Sequence, residues 1–241
     1  MATILLVHGA WHGAWCWFKI VPRLAALGHR VIAPDLPGLG RDRTDPRGLD
    51  LDAYADAVLS RVEADAGPVV LVGHSMGGGV IARACEKAPE KIGLAVYVCA
   101  FLVEPGQSIL AAAAGDPVTL LAGKLIPGHD GATATVSEDA IVPAFYADCS
   151  DEDVALARSL LVPQSSAAFQ QKVQLSPERF GQVPRVYVEC LDDKAIGIDV
   201  QRRMWKATPC REVVTMATGH SPFLSAPDDL AGILDRVSRA V

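Results

Sequence analysis

The residues Gly73-His74-Ser75-Met76-Gly77 carry the pattern Gly-x-Ser-x-Gly. An apolar run, Val69 to Val72, precedes them, and a helix-forming stretch from Met76 to Lys87 follows. A serine in that setting sits on a tight strand-to-helix turn with its hydroxyl raised above a sheet. The flanking glycines allow close approach of neighbouring chains, and the helix aims its positive end at the site. Such a hydroxyl is suited to attack a carbonyl carbon.

Serine needs a base to become a useful nucleophile. Histidines occur at positions 8, 12, 29, 74, 129 and 220, and only His129 and His220 follow Ser75. On this kind of scaffold the order is nucleophile, acid, base. His129 lies in the loop Pro127-Gly128-His129-Asp130-Gly131, whereas His220 stands between a late strand and the final helix, in Thr218-Gly219-His220-Ser221. A loop at the carboxyl end of a strand is where the base must stand, so His220 is the expected base. The acid is expected in Leu191-Asp192-Asp193-Lys194, directly after the strand Arg185 to Glu189. The two adjacent aspartates point in different directions. Asp193 is preferred, with Asp192 as a turn former and Asp199 as an outlying alternative. Two backbone donors must hold the developing oxyanion, each worth about 3 kcal/mol. The expected pair is the N–H of Met76 and the N–H of Ala10, in His8-Gly9-Ala10 after the first strand.

Other residues invite weaker readings. His8 and His12 straddle a glycine-containing loop with no evident third ligand, so no metal is expected there. His74 is read as packing or bonding locally. Trp11, Trp15, Trp17 and Phe18 line a pocket or fill the core, with nothing in the sequence to decide between them.

These side chains must be positioned by alternating strands and helices, the pattern of a mostly parallel sheet flanked by helices. Strands are expected at Thr3 to Val7, Val31 to Ala33, Val69 to Val72, Leu94 to Phe101, Arg185 to Glu189 and Glu212 to Met216. Helical stripes run through Trp17, Ile20, Val21 and Leu24, through Leu51, Tyr54, Ala55, Val58, Leu59 and Val62, and through Leu230, Ile233, Leu234 and Val237. Between about Glu104 and Gln182 the alternation lapses into helices and loops with no strong strand. Ser150 and Asp153 there form a capping box, and Pro163 ends the helix that follows. The expectation is an α/β core in two parts, residues 1–103 and 183–241, with a mostly helical cap insertion at 104–182.

The chain of 241 residues is large enough for one sizeable core. Its net charge of −6, without a Lys/Arg cluster, argues against nucleic acid. No apolar run reaches membrane-spanning length, and the start, MATILLVHGA, reads as a strand rather than a signal peptide. Cysteines 16, 85, 99, 149, 190 and 210 form no close Cys-x-x-Cys pair and read as reduced thiols of a cytoplasmic protein.

Several longer stretches resemble one family: HGAWHGAW at 8–15, GHSMGG at 73–78, CSDEDVALARSLLVPQ at 149–164, ERFGQVPRVYVECLDDKAI at 178–196 and GH at 219–220. They are similar to the plant methylesterases and hydroxynitrile lyases of the α/β-hydrolase superfamily and to their bacterial esterase relatives. The resemblance implies a cap over the site, a cofactor-free ester hydrolase, methyl or aryl esters as substrates, and Asp193 as the acid. Lyase members carry threonine where this chain has Gly9 and lysine where it has Ser221. Both departures favour the esterase. The rivals are a lyase cleaving cyanohydrins with the same triad and a non-enzymatic small-ligand receptor. The expected partner is a small-molecule ester, and whether the chain forms a homodimer is left open.

Overall fold

The structure, a computed structural model, describes residues 1–63 and 67–239. Six parallel strands form the central sheet: β1 (Thr3–Val7), β2 (Arg30–Ile32), β3 (Val69–His74), β4 (Ile92–Val98), β8 (Arg185–Cys190) and β9 (Glu212–Met216). Their spatial order is β2-β1-β3-β4-β8-β9. The chain therefore leaves β1 toward one edge and returns to place β3 on the other side of it. Ligands of open α/β sheets bind at such a reversal, beyond the carboxyl ends of the strands. Both expected oxyanion donors and the expected nucleophile follow β1 or β3.

Helices α1 (Ile20–Ala26), α2 (Leu51–Leu59), α3 (Gly77–Lys87), α8 (Ile198–Ala207) and α10 (Pro227–Ser238) belong to the core layers, and the single-turn α9 (Pro222–Ser225) precedes the last. Asp50 caps α2 by accepting from the Ala53 N–H at 2.9 Å. Every residue of β3 is buried, as a parallel strand covered on both faces requires. Its valines and leucine each contribute roughly 1.5–3 kcal/mol by leaving water.

Between β4 and β8 lie α4 (Ile109–Ala113), α5 (Glu138–Phe145), α6 (Asp151–Leu160) and α7 (Ser166–Gln170). The Ser150 hydroxyl caps α6 by accepting from the Asp153 N–H at 3.2 Å. This segment also holds an antiparallel sheet the sequence did not disclose, β5 (Leu125–Pro127), β6 (Thr133–Val136) and β7 (Gln164–Ser165). Its strands have two to four residues, and all three residues of β5 are exposed, so no alternation of buried and exposed positions was there to read. Strand β4 likewise stops at Val98, short of the expected Phe101, because Cys99 takes a left-handed φ of 34°. No described helix is long and apolar enough to cross a membrane.

The turn after β3 leaves no room for side chains on its glycines. A Cβ on Gly73 would lie 2.6 Å from the backbone oxygen of Gly77, an atom that cannot swing aside. Gly73→Ala should therefore cost roughly 1–3 kcal/mol, or about 3–10 °C in Tm for a chain of this size. Calorimetry of the variant checks this, and an unchanged Tm would show that the turn is not so tightly packed.

Candidate active site

Ser75 has a left-handed φ of 53°, a conformation costing a non-glycine residue on the order of 1–3 kcal/mol. Three backbone bonds hold it there. Its N–H donates to Val98 O at 3.4 Å, and its carbonyl accepts from Gly78 N and Phe101 N, both at 3.0 Å. The turn thus hangs between α3 and the end of β4. From Val69 to Ala82, Ser75 is the only residue that is not buried. The fold presents this one side chain to a cavity and hides its neighbours.

His220 and Asp193 meet in the protein interior. The His220 Nδ1–H donates to Asp193 Oδ2 at 2.8 Å, and the two residues are 2% and 1% exposed. The other carboxylate oxygen accepts from the N–H groups of Ala195 at 2.7 Å and Ile196 at 2.9 Å. Gln201 donates to Oδ2 at 3.3 Å while also clamping Cys190 through both its backbone groups. Asp192 and Asp199 are exposed, as is His129, and none of the three takes part.

The His220 loop is pinned beside the serine. His74 Nε2–H donates to the His220 carbonyl at 2.8 Å, and Cys99 Sγ donates to the same oxygen at 3.4 Å. The rings of His74 and His220 lie 4.6 Å apart. Asp148 accepts from the Gly219 N–H at 2.7 Å. In this arrangement the Ser75 hydroxyl makes no hydrogen bond to the His220 ring. Such catalytic bonds are often long until a substrate is present.

Two buried backbone donors follow β1 and β3. The N–H groups of Ala10 (3% exposed) and Met76 (0%) donate to no protein acceptor among the described residues. More than nine in ten buried N–H groups find a partner, and N–H groups left unpaired in this way are able to hold an anion. The Ala10 loop is held by hydrogen bonds from two histidines. His8 Nδ1–H donates to Gly9 O at 2.8 Å while its Nε2 accepts from Leu36 N at 3.1 Å. His12 Nδ1–H donates to Ala10 O at 2.7 Å while its Nε2 accepts from the Tyr146 hydroxyl at 2.6 Å. Each ring is thereby fixed in one neutral tautomer. Burial pushes His8 down to about 4 and His12 down to about 3. His74 lies well below the ordinary histidine range, also through burial.

The cavity above Ser75 measures about 430 Å³. Trp11, Phe101, Ile109, Leu121, Phe145 and Phe169 make much of its wall; Asp116 and Thr119 are its polar members besides the serine. Among the described residues, no Lys, Arg or His side chain lines it. Trp11 is thus a pocket residue, whereas Trp17 is fully buried core and Phe18 is 45% exposed. Trp11 also ties the core to the insertion. Its Nε1 donates to Ala134 O at 2.9 Å, and its carbonyl accepts from Val162 N at 3.0 Å.

Sequence reasoning did not find Gln201, Asp148 or Tyr146. Asp148 and Tyr146 act on groups 71 and 134 positions away, Gln201 bonds Asp193 and Cys190 from the next helix, and none stands in a recognisable motif.

Residues 4–233 match the model of the alpha/beta hydrolase family. The chain belongs to the alpha/beta hydrolase family. It is 36% identical to methylesterase 1 of Arabidopsis thaliana over 243 residues, covering 94% of this chain and 92% of that protein. The solved methylesterase MES16 from Arabidopsis superposes with a TM-score of 0.84 at 30% identity, each chain covered in full. A pyrethroid hydrolase from Sphingobium faniae JZ-2 superposes at 0.89 and 29% identity, covering 99% of this chain and 98% of that one. In line with these relatives, this hydrolase acts on carboxylic esters as a class.

The buried neutral histidines make the stability of the hydrolase acid-sensitive. Above about 6.5 the rings are neutral in folded and unfolded chains alike. Below it the unfolded chain takes up protons that the folded one refuses, so stability falls with pH until His8 titrates near 4 and His12 near 3. Each ring contributes a slope of about 1.4 kcal/mol per pH unit in that window. Urea unfolding at pH 8, 7, 6 and 5 should show a plateau above 7 and a fall of several kcal/mol from 6 to 5. A flat profile over that window would contradict the buried neutral rings.

Proposed function

We propose that this hydrolase is a serine carboxylesterase in which Ser75 is the nucleophile, His220 the base and Asp193 the acid. The observation that carries the reading is the buried His220–Asp193 pair docked on the residue next to Ser75, with two unspent N–H groups alongside. Ser75 Oγ adds to the ester carbonyl carbon as His220 Nε2 takes its proton. Asp193 keeps Nδ1 protonated and stabilises the imidazolium. The N–H groups of Ala10 and Met76 hold the oxyanion. His220 then protonates the leaving alcohol, and water attacks the acyl-enzyme by the same route.

The cavity favours small to medium, largely apolar esters, methyl or aryl ones among them. Its aromatic and aliphatic wall suits an apolar acyl group. With no cation on that wall among the described residues, the carboxylate product finds no ion-pair partner there. Residues 104–182 act as the cap that supplies most of this wall. The six free cysteines suit a reducing compartment such as the cytoplasm.

The cyanohydrin-lyase alternative is disfavoured at both positions where the chain departs from lyase members. A Cβ on Gly9 would lie 2.9 Å from Ser75 Cβ and 3.0 Å from His74 Nδ1, which leaves no space for threonine. Ser221 is fully buried and uncharged, so it offers a departing cyanide no cation. The unspent oxyanion donors argue against a receptor without chemistry.

Ser75→Ala and Asp193→Asn should each lower kcat on 4-nitrophenyl acetate by a factor on the order of 10³ or more. Mandelonitrile should release no cyanide with the parent enzyme. Undiminished turnover in Ser75→Ala would remove this site from consideration, and cyanide release would favour the lyase.

A further inference from the structure

The turn that carries Asp193 has a second partner besides the acid it supports. Its inward backbone groups serve Asp193 and Gln201: the N–H groups of Ala195 and Ile196 go to Asp193 Oδ1, and the Ile196 carbonyl accepts from Gln201 Nε2 at 2.8 Å. Three further backbone groups of the turn go to one stretch of the cap. The Gly197 N–H donates to Asp116 Oδ2 at 2.6 Å. The Thr119 hydroxyl donates to Ala195 O at 3.0 Å, and the Leu120 N–H donates to Lys194 O at 2.8 Å. The cap stretch is braced in turn, because Val118 N donates to Asp116 Oδ1 at 3.0 Å and Leu121 N to Thr119 Oγ1 at 3.2 Å. The contact is close: a Cβ on Gly197 would lie 2.4 Å from Val118 Cγ2 and 2.5 Å from Asp116 Oδ1.

The same residues line the acyl cavity. Asp116, Thr119 and Leu121 come from the cap stretch, and Ala195 and Ile196 come from the acid turn. A substrate filling the cavity therefore presses on both halves of one hydrogen-bonded unit.

We propose that Asp116 and Thr119 are positioning residues for the reaction. They splint the turn that aims Asp193 at His220, and so couple the cap wall to the orientation of the base. The proposal rests on Asp193 being the acid. Its physical basis is that a carboxylate bonded to a turn is only as well placed as the turn itself, and displacements near 1 Å carry large rate penalties. Asp116 accepts from two N–H groups through separate oxygens, so Asp116→Asn leaves one of them without an acceptor. Thr119→Val removes the donor to Ala195 O and the acceptor of Leu121 N at nearly constant volume.

The test is the steady-state kinetics of Thr119→Val, Asp116→Asn, Thr119→Ser and Asp193→Asn on 4-nitrophenyl acetate and 4-nitrophenyl hexanoate across pH. The acetate is too short to depend on the cap wall for binding. Thr119→Val and Asp116→Asn should lower kcat on it by roughly tenfold, with KM changed by less than about twofold. The acid limb of kcat/KM should move to lower pH, by roughly half a unit, because a misaimed carboxylate holds the ring proton less well. Thr119→Ser, which keeps the hydroxyl, should restore both. If kcat and the acid limb stay put and only the hexanoate KM rises, Asp116 and Thr119 are wall residues alone and the splint is refuted. An inactive Asp193→Asn beside unmoved Asp116 and Thr119 variants refutes the splint and spares the triad. Full activity in Asp193→Asn removes the acid itself, and the splint with it. Should Asp116→Asn fail to fold, Thr119→Val carries the test, since it changes a single half-buried hydroxyl.

Discussion

The backbone of Ser75 has to hold a left-handed conformation at the carboxyl end of a fully buried strand, and much of the molecule can be understood as what makes that possible. A residue with φ of 53° gains nothing locally from being there. The compensation is distributed: its N–H reaches Val98, its carbonyl serves both Gly78 and Phe101, and glycines flank it because carbonyl oxygens fill the space a side chain would take. Strand order supplies the location. Since β2 and β3 lie on opposite sides of β1, the loops after β1 and β3 diverge and leave a crevice between them. Ser75 stands on one of these loops and Ala10 on the other.

The same constraint explains why imidazoles crowd this region. Left-handed or tightly turned backbone leaves carbonyl groups pointing inward, where water cannot reach them. His8, His12 and His74 each spend a ring N–H on such a carbonyl, of Gly9, Ala10 and His220 respectively. A neutral imidazole can also accept at its other nitrogen, as His8 and His12 do, which lysine or arginine cannot. Burial excludes the cationic form and thereby keeps three further positive charges away from His220. The ring proposed as the base then has neutral neighbours. Two other non-glycine residues with left-handed φ, Trp11 and Cys99, stand at this crevice as well. Trp11 lines the cavity, and Cys99 bonds the His220 carbonyl.

How far the sequence disclosed this arrangement depends on the range of the forces involved. The turn at Ser75, the place of His220 and the central strands were legible because each follows from local pattern: an apolar run, a glycine-bounded serine, a histidine between strand and helix. That Asp192 and Asp193 face different ways was legible too, the family resemblance pointed to Asp193, and the structure buries Asp193 and exposes Asp192. The supports were not legible. Asp116 meets Gly197 across 81 positions, Thr119 meets Ala195 across 76, and Asp148 meets Gly219 across 71. In each case the partner is a backbone group, which every residue carries and no motif advertises. The small sheet of the cap was hidden for a related reason, its strands being too short for periodicity to build up.

Core and cap are therefore specified by different physics, and this bears on how selectivity can vary in such a hydrolase. In the core, a Cβ on Gly73 or Gly77 would lie 2.6 Å from a backbone oxygen and one on Gly9 2.9 Å from Ser75 Cβ, which leaves no tolerance for added atoms. The cap wall is made of Ile109, Leu110, Leu121, Phe145 and Phe169, side chains whose contribution is non-directional and whose exchange for others of similar volume costs little. Wall residues can change without disturbing the turn at Ser75, so long as the directional contacts between residues 104–182 and the core persist. Those contacts include Trp11 with Ala134 and Val162, Tyr146 with His12, Asp148 with Gly219, and Asp116 and Thr119 with the turn of Asp193; farther from Ser75, Asp153 meets Lys19 and Gln171 meets Asp52. The first group joins the segment to the Ala10 loop, the His220 loop and the turn of Asp193. A segment joined by bonds of this kind can change its apolar wall, and with it what is bound, while the core residues stay where the sheet put them.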